Sequence, residues 1–501
     1  MSRSITSSIL SLLASKISSV VAGIVFVPIL VRILGPEQYG MYATILSIIA
    51  VADIAIGSGL NDSIRKYLSE DRSTDWKNRI LSYHFRIGGI LMFIFSVLFL
   101  AAAWSGLVAQ VLGEGFVPLF VLLPVLVFGL QLREFTRRVL HGLKLEKYSE
   151  TLKIVYSVTF YPAALLLVYL GHGVTGILVA NAVVSIATAG LALLVISRHL
   201  DVTAVLSRPQ ISIPKRRILK YAGGTAAYFA CLSSLYHIDV LMLTWWTNST
   251  TVGFYKGALA IAETLWILPK SVQMSMLQST SEYWQNDNSS VISRVSTNAT
   301  RGVALLTVLC AVGLAVLADS FVPLFLGQDF TPAVTPLLYL LPGVVGFAIA
   351  RPVIAITQAS GRTRPLILGT LTAAVINLAA NALLIPRYGM VGAAVGTSLG
   401  YGTLPLSQAA AARYIGYSPF AGLRVTRLVI TAASTSVVID ALDSYLSNPI
   451  VSLLVVPPVG LLCFAVVAVL IGAVTAEDRR LFWEKIENWS PVFERDTTGR
   501  Y

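Results

Sequence analysis

The sequence predicts an all-α integral membrane protein: about fourteen transmembrane helices in two pseudo-symmetric six-helix lobes around a central cavity, with two extra helices at the end. Three observations predict it. The composition is apolar, the apolar runs have bilayer length, and the cations fall on one side of the scheme those runs define. Of 501 residues, 55% are hydrophobic and 12% charged, against roughly a quarter charged in soluble proteins. The mean hydropathy is +0.75. A disordered chain is excluded, and a soluble globular enzyme is a poor fit.

A spanning helix needs about 20 mostly apolar residues. The first two runs, 9–34 and 39–60, form a hairpin, and Arg65, Lys66, Arg72, Lys77 and Arg79 separate them from the third, 80–104. A short connection, 105–115, leads to 116–132, after which Arg133, Arg137, Arg138, Lys144 and Lys147 precede 152–170 and 174–197. Arg198, Arg208, Lys215, Arg216, Arg217 and Lys220 then precede 221–246, and a turn at 247–252 opens 253–277. Arg294 and Arg301 come before 303–326, which is joined by 328–333 to 334–357. Arg362 and Arg364 introduce 366–385 and 390–414, and Arg413 and Arg424 introduce 425–446 and 450–474. The tail, 476–501, starts with Glu477 and Asp478 and sets Phe482, Ile486 and Trp489 on one face, the pattern of an interfacial helix.

Placing the amino terminus in the cytoplasm fixes every other loop. The cation clusters then all fall inside, and only Arg387, with Arg32 and Lys256 near helix ends, lies outside. The positive-inside rule therefore supports both the count and the orientation, with both termini cytoplasmic at the plasma membrane. The same reading accounts for the net charge of +12 without nucleic acid. The expected divisions are 1–210, 211–416, 417–475 and the tail 476–501. The first run is too long, and interrupted by Lys16 and serines, for a cleaved signal peptide. Cys231, Cys310 and Cys463 all fall within spans, so neither a disulfide framework nor a metal site is expected.

An internal repeat divides the chain. Tyr39-Gly40-Met41-Tyr42 opens the second span and Val252-Gly253-Phe254-Tyr255 the eighth, with glycines 213 residues apart. Gly173-Val174-Thr175-Gly176 and Gly389-Met390-Val391-Gly392 lie 216 apart, and the inside turns at Gly142 and Gly361 lie 219 apart. Near-constant offsets in hairpins of the same orientation indicate parallel repeats, which place a binding site between the halves and suit rocking transport.

The stretch Leu30-Val31-Arg32-Ile33-Leu34-Gly35-Pro36-Glu37-Gln38-Tyr39-Gly40-Met41-Tyr42 resembles the amino-terminal hairpin of polysaccharide exporters of the O-antigen flippase type. These belong to the multidrug/oligosaccharidyl-lipid/polysaccharide (MOP) superfamily. The paired glycine turns and the two-lobe plan resemble the family as well, over essentially the whole chain. The resemblance implies a flippase that moves a polyprenyl (undecaprenyl or dolichyl) phosphate-linked sugar or oligosaccharide from the cytoplasmic to the outer leaflet, for surface polysaccharide or glycan biosynthesis. It implies no bond cleavage, no cofactor, and glycosyltransferases or a polymerase of the same pathway as partners. Multidrug exporters share the fold, so an antiporter of small organic cations is the alternative.

Ionisable groups inside spans are costly unless they face a cavity or a partner. Lys16 lies beside Ser15 and Ser18 on a serine-rich face suited to a phosphate head group; the alternative is that Lys16 snorkels to the interface. In the eighth span Lys256, Glu263 and Lys270 recur every seven residues, on one face or with the lysines snorkelling to opposite interfaces. Asp53 maps through the 213-residue offset to within a turn of Glu263. Asp239 and His237 form a second candidate for ion coupling, beside Asp53 and Glu263. Asn377 and Asn381 face a cavity or bond another helix, and Gly392, Gly396 and Gly400 form a packing stripe. The outer connections are too short for a glycan-processing enzyme, no Asp-x-Asp motif occurs, and the Gly-Lys pair of a nucleotide-binding loop is absent.

Overall fold

The structure, a computed structural model, describes the backbone of residues 2–201, 203, 212–285, 289–420, 422–446 and 448–474. Side chains are described throughout these except at 2–22, 24, 281, 282 and 285. The tail helix expected over 476–501 lies outside the described residues, as do the side chains of Ser15, Lys16 and Ser18.

Every regular element among the described residues is a helix. α1 (Ser2–Asp53) carries the first pass and half of the second, with a break at Gly35 (φ 71°), and α2 (Gly59–Leu68) completes the second. α3 (Thr74–Trp104) starts at Ser73, whose hydroxyl accepts the Trp76 N–H at 3.4 Å. A short α4 (Leu107–Val111) leads to α5 (Val117–Gly142), and α6 (Glu146–Leu167) turns at Gly171 into α7 (Gly173–Ile196). α8 (Lys215–Trp246) is followed by the eighth pass, which is two helices, α9 (Ser249–Thr264) and α10 (Ile267–Gln285). α11 (Ser289–Val316), the short α12 (Ala318–Leu326) and α13 (Val334–Ala359) follow. α14 (Thr363–Ile415) makes two passes, and α15 (Val425–Tyr445) and α16 (Pro449–Leu470) end the bundle.

Ten helical stretches among the described residues are long and apolar enough to cross a bilayer. Three of them turn back at a glycine and make two passes each; with α9–α10 this gives the expected fourteen. The two halves of α14 pack antiparallel: Gly392 meets Leu384, Gly396 meets Asn381, and Gly400 meets Asn377. Large apolar side chains such as Phe93 (70% exposed), Leu454 (71%) and Leu470 (79%) coat the outside, as lipid contact requires.

The repeat is visible in the backbone. Gly113 (φ 104°, ψ 158°) and Gly327 (φ 109°, ψ 157°) each precede a tight turn that leads into the next pass, α5 and α13. Gly173 (φ 52°, ψ −138°) and Gly389 (φ 54°, ψ −129°) open equivalent passes in a conformation that L-residues with a Cβ rarely adopt. Two lobes of six passes result, with α15 and α16 set against α11 of the second lobe.

One boundary differs from the sequence expectation in a way that matters. The fourth helix continues ten residues past Leu132 to Gly142, so Arg133, Glu134, Arg137 and Arg138 are helical, not loop. The charges of Glu134, Arg137 and Arg138 are paired with one another and with Asp62. Glu134 accepts from Arg138 Nε at 2.7 Å and Arg137 at 3.1 Å, and Arg138 reaches Asp62 of α2 at 2.7 Å. A charge count alone reads such a network as a loop.

Candidate substrate-binding site

The lobes meet through the repeated glycines at the end of the bundle away from the basic clusters. The backbones cross so closely that a Cβ on Gly40 would lie 1.7 Å from the Ser249 carbonyl oxygen, and one on Gly253 1.9 Å from that of Pro36. Phe330 packs edge-on against both Tyr39 (6.1 Å) and Phe254 (5.9 Å), and Arg32 donates to the Leu324 carbonyl. This side is closed. At mid-depth the Thr44 and Thr244 hydroxyls bond at 2.8 Å, and Ser47 reaches His237 Nδ1 at 3.4 Å. Toward the basic ends α2 lies on α8, with Lys66 3.9 Å above the Tyr221 ring. Of the eighth pass, α9 packs on α1, whereas α10 packs on α11 and α13 of its own lobe.

In the second lobe these elements place a buried cation. Arg351 of α13 is 5% exposed; its Nη1 donates to Gln273 Oε1 at 2.9 Å and its Nη2 to the Tyr236 hydroxyl at 3.1 Å. Its guanidinium lies 4.9 Å from the Trp266 ring centre and 4.6 Å from that of Phe347. Trp266 is fully buried, anchored by an N–H bond to the Val344 carbonyl at 2.9 Å and packed against Tyr236, Phe347 and Tyr401. Among the described residues no carboxylate lies within 4.0 Å of Arg351, and its Nε has no hydrogen-bond partner. A guanidinium dried by aromatic rings and held by neutral groups is a site for an anion, because its charge is otherwise uncompensated. Lys270, exposed, adds a second cation 5.5 Å from the Trp266 ring centre.

Arg351 escaped the sequence reading, although an arginine in the middle of the apolar run 334–357 was itself the signal. Glu263, half-buried, lies in the last turn of α9 beside the break. Lys256 is half-buried nearer the start of α9. Asp239 is fully buried: Tyr255 and Thr397 (2.9 Å) donate to one carboxylate oxygen and the Val240 N–H (2.8 Å) to the other, tying α8, α9 and α14 together. Asp53 accepts from Ser58 (2.7 Å) and Gln131 where the second pass widens over Ile54–Ser58. Through the 213-residue offset this irregularity falls at 267–271, the start of α10 just past its break from α9, so both repeat helices are interrupted within a turn of the same depth. Asn377 and Asn381 are fully buried in the seam between the two passes of α14, against Gly400 and Gly396, and so contact a helix and do not line the cavity. Trp245 (65% exposed) and Trp246 (47%) end α8 opposite its basic start at Lys215, at the position of an aromatic belt.

Comparison with known proteins agrees with this architecture. Residues 5–280 match the model of a family described as polysaccharide biosynthesis protein. A stretch of 169 residues is 26% identical to the "Probable low-salt glycan biosynthesis flippase Agl15" of Haloferax volcanii, covering 33% of this chain and 35% of that one, so the match spans about a third of the relative's length. The lipid II flippase MurJ in an inward closed conformation superposes with a TM-score of 0.74 at 14% identity, over 94% of this chain and 99% of that one. An inward-facing multidrug resistance MATE family transporter of the MOP superfamily gives 0.63 at 17% identity, over 80% and 94%. With more than half of its length matched by the family model, on a scaffold that MOP transporters share, the chain belongs to the polysaccharide biosynthesis protein family.

Proposed function

We propose that this protein is a flippase of the plasma membrane, with both termini cytoplasmic, that carries a polyprenyl phosphate-linked sugar or oligosaccharide to the outer leaflet by alternating access. The observation that carries the reading is Arg351, a buried cation with aromatic walls and no carboxylate partner among the described residues. Lys270 extends that positive surface, and Lys16 with Ser15 and Ser18 supplies the entry side of the first lobe. The substrate's prenyl chain is accommodated by an apolar groove of about 570 Å³ between α9, α11, α12 and the last two helices, lined by residues such as Leu265, Leu314, Phe321 and Val456. The lobes 1–210 and 211–416 rock about their crossing glycines. Glu263, at the helix break, carries the coupling ion, with Asp53 its counterpart in the first lobe. Asp239 and His237 hold the lobes' structure at mid-depth. Glycosyltransferases or a polymerase of the same pathway are the expected protein partners.

An exporter of organic cations fits less well, because Arg351 and Lys270 would repel such a substrate. Proteoliposomes given a short-chain prenyl diphosphate disaccharide in one arm and a fluorescent organic cation in the other separate the two readings. Movement of the lipid-linked sugar is expected; efflux of the cation with no movement of the sugar would overturn the reading.

A further inference from the structure

We propose that a pocket in the first lobe around Arg133 is a phosphate-binding subsite, the repeat counterpart of Arg351; the inference rests on the flippase reading for its natural ligand, a prenyl phosphate. The repeat itself pairs the two arginines. At an offset of 218 residues, Pro118, Leu119, Leu122, Leu123, Pro124 and Arg133 of α5 match Pro336, Leu337, Leu340, Leu341, Pro342 and Arg351 of α13. Arg133 precedes the end of α5 by nine residues and Arg351 that of α13 by eight, so both sit about 12–14 Å inside the basic end, at 1.5 Å per residue.

The surroundings are equivalent in kind. The Arg133 guanidinium lies 3.8 Å from the centre of the Tyr156 ring, as Arg351 lies over Trp266 and Phe347. A guanidinium held over a ring in this way still has N–H groups to offer an oxyanion. Arg133 borders a cavity of about 220 Å³ between α5, α6 and α7, with Arg137, Lys153, Ser157 and Thr188 also on its wall. Glu134 borders it too, but its carboxylate is taken by Arg137 at 3.1 Å and Arg138 at 2.7 Å. Among the described residues no carboxylate lies within 4.0 Å of Arg133. The cavity is smaller than the roughly 300–1,000 Å³ of sites for drug-sized ligands, so it suits a phosphate group and not a glycan.

The test uses the full chain in detergent micelles and isothermal titration with geranyl phosphate, geraniol and inorganic phosphate. Geranyl phosphate is expected to bind, geraniol not to, and Arg133→Gln to weaken geranyl phosphate about tenfold or more, with Arg133→Lys in between and the outer-side variant Arg387→Gln unchanged. Inorganic phosphate bound as tightly as geranyl phosphate, and with the same dependence on Arg133, identifies free phosphate as the ligand of the subsite. Binding by a folded Arg133→Gln within twofold of the unmodified protein overturns the proposal. Should that variant lose its thermal unfolding transition, Lys153→Gln stands in, with a threefold or larger loss expected and none overturning. Vesicle transport separates the two readings. Without sugar movement by the unmodified protein, the flippase reading falls while an Arg133-dependent phosphate site stands; with movement that Arg133→Gln leaves intact, as it does binding, the subsite alone falls.

Discussion

Gly253→Ala tests whether the lobes pivot where the repeated glycines cross. The added Cβ would lie 1.9 Å from the Pro36 carbonyl oxygen and 2.8 Å from its carbon, where ordinary contact is 3.4–4 Å. The hairpins must then part by roughly 1.5 Å. Both obstructing atoms are backbone, so no rotamer change relieves the clash. Overpacking of this kind costs about 1–3 kcal/mol, which displaces an equilibrium about 5- to 150-fold. The displacement is away from the arrangement closed at the glycine crossing. Spin labels at the exposed positions Glu37 and Asp329, in a protein with its three cysteines replaced, report the outer separation by electron double resonance. A longer-distance population is expected in Gly253→Ala and also in Gly40→Ala, whose Cβ would meet the Ser249 carbonyl. Gly302→Ala, with nothing within 4 Å of the new Cβ, is the control and should match the parent. Unchanged distance distributions in both interfacial variants would refute the close crossing and the pivot built on it.

Gly396→Ala should lower the thermal unfolding midpoint, by about 1–3 kcal/mol of stability, because its Cβ would lie 2.3 Å from Asn381 Oδ1 and 3.0 Å from the Asn381 nitrogen. Asp239→Asn should cost about 1–3 kcal/mol in the same measurement: three donors meet the two carboxylate oxygens, and an amide leaves one donor facing an NH2 group. Arg138→Gln removes the cation shared by Asp62 and Glu134 and should destabilise by roughly 1–3 kcal/mol, a loss that shrinks in high salt if the network is as wet as its 15–27% exposures indicate. Glu263→Gln should abolish the dependence of vesicle transport on the imposed ion gradient while leaving geranyl phosphate affinity within twofold, since Glu263 pairs with neither Arg133 nor Arg351.

The passes and their grouping were legible because lipid imposes a length and a composition on each helix, and because the repeat leaves glycines where two backbones cross or turn. Gly40 and Gly253 stood out as a repeated pair in the sequence, and the structure supplies the reason: each would strike the opposite hairpin with a Cβ. Where a helix continues past the apolar run, composition misleads. Arg133 and Arg138 were read as loop cations, whereas α5 carries them inward and pairs Arg138 with acids on two helices. The site was harder to read than the fold. A lone intramembrane charge points to a function without naming its partners: Arg351 depends on Gln273, Tyr236 and Trp266, which are 78, 115 and 85 residues away in sequence. Asn377 and Asn381 looked equally suited to a cavity or a seam, and only the glycines opposite them decide for the seam.

The most direct measurement follows a fluorescent prenyl phosphate-linked sugar across proteoliposome membranes with a membrane-impermeant quencher, for the unmodified protein, Arg351→Gln and Arg351→Lys. The unmodified protein should expose the inner-leaflet probe, Arg351→Gln should slow this at least tenfold, and Arg351→Lys should fall between, all three with intact unfolding transitions. Equal rates for Arg351→Gln and the unmodified protein, or no movement by the latter, would contradict a flippase that works through Arg351.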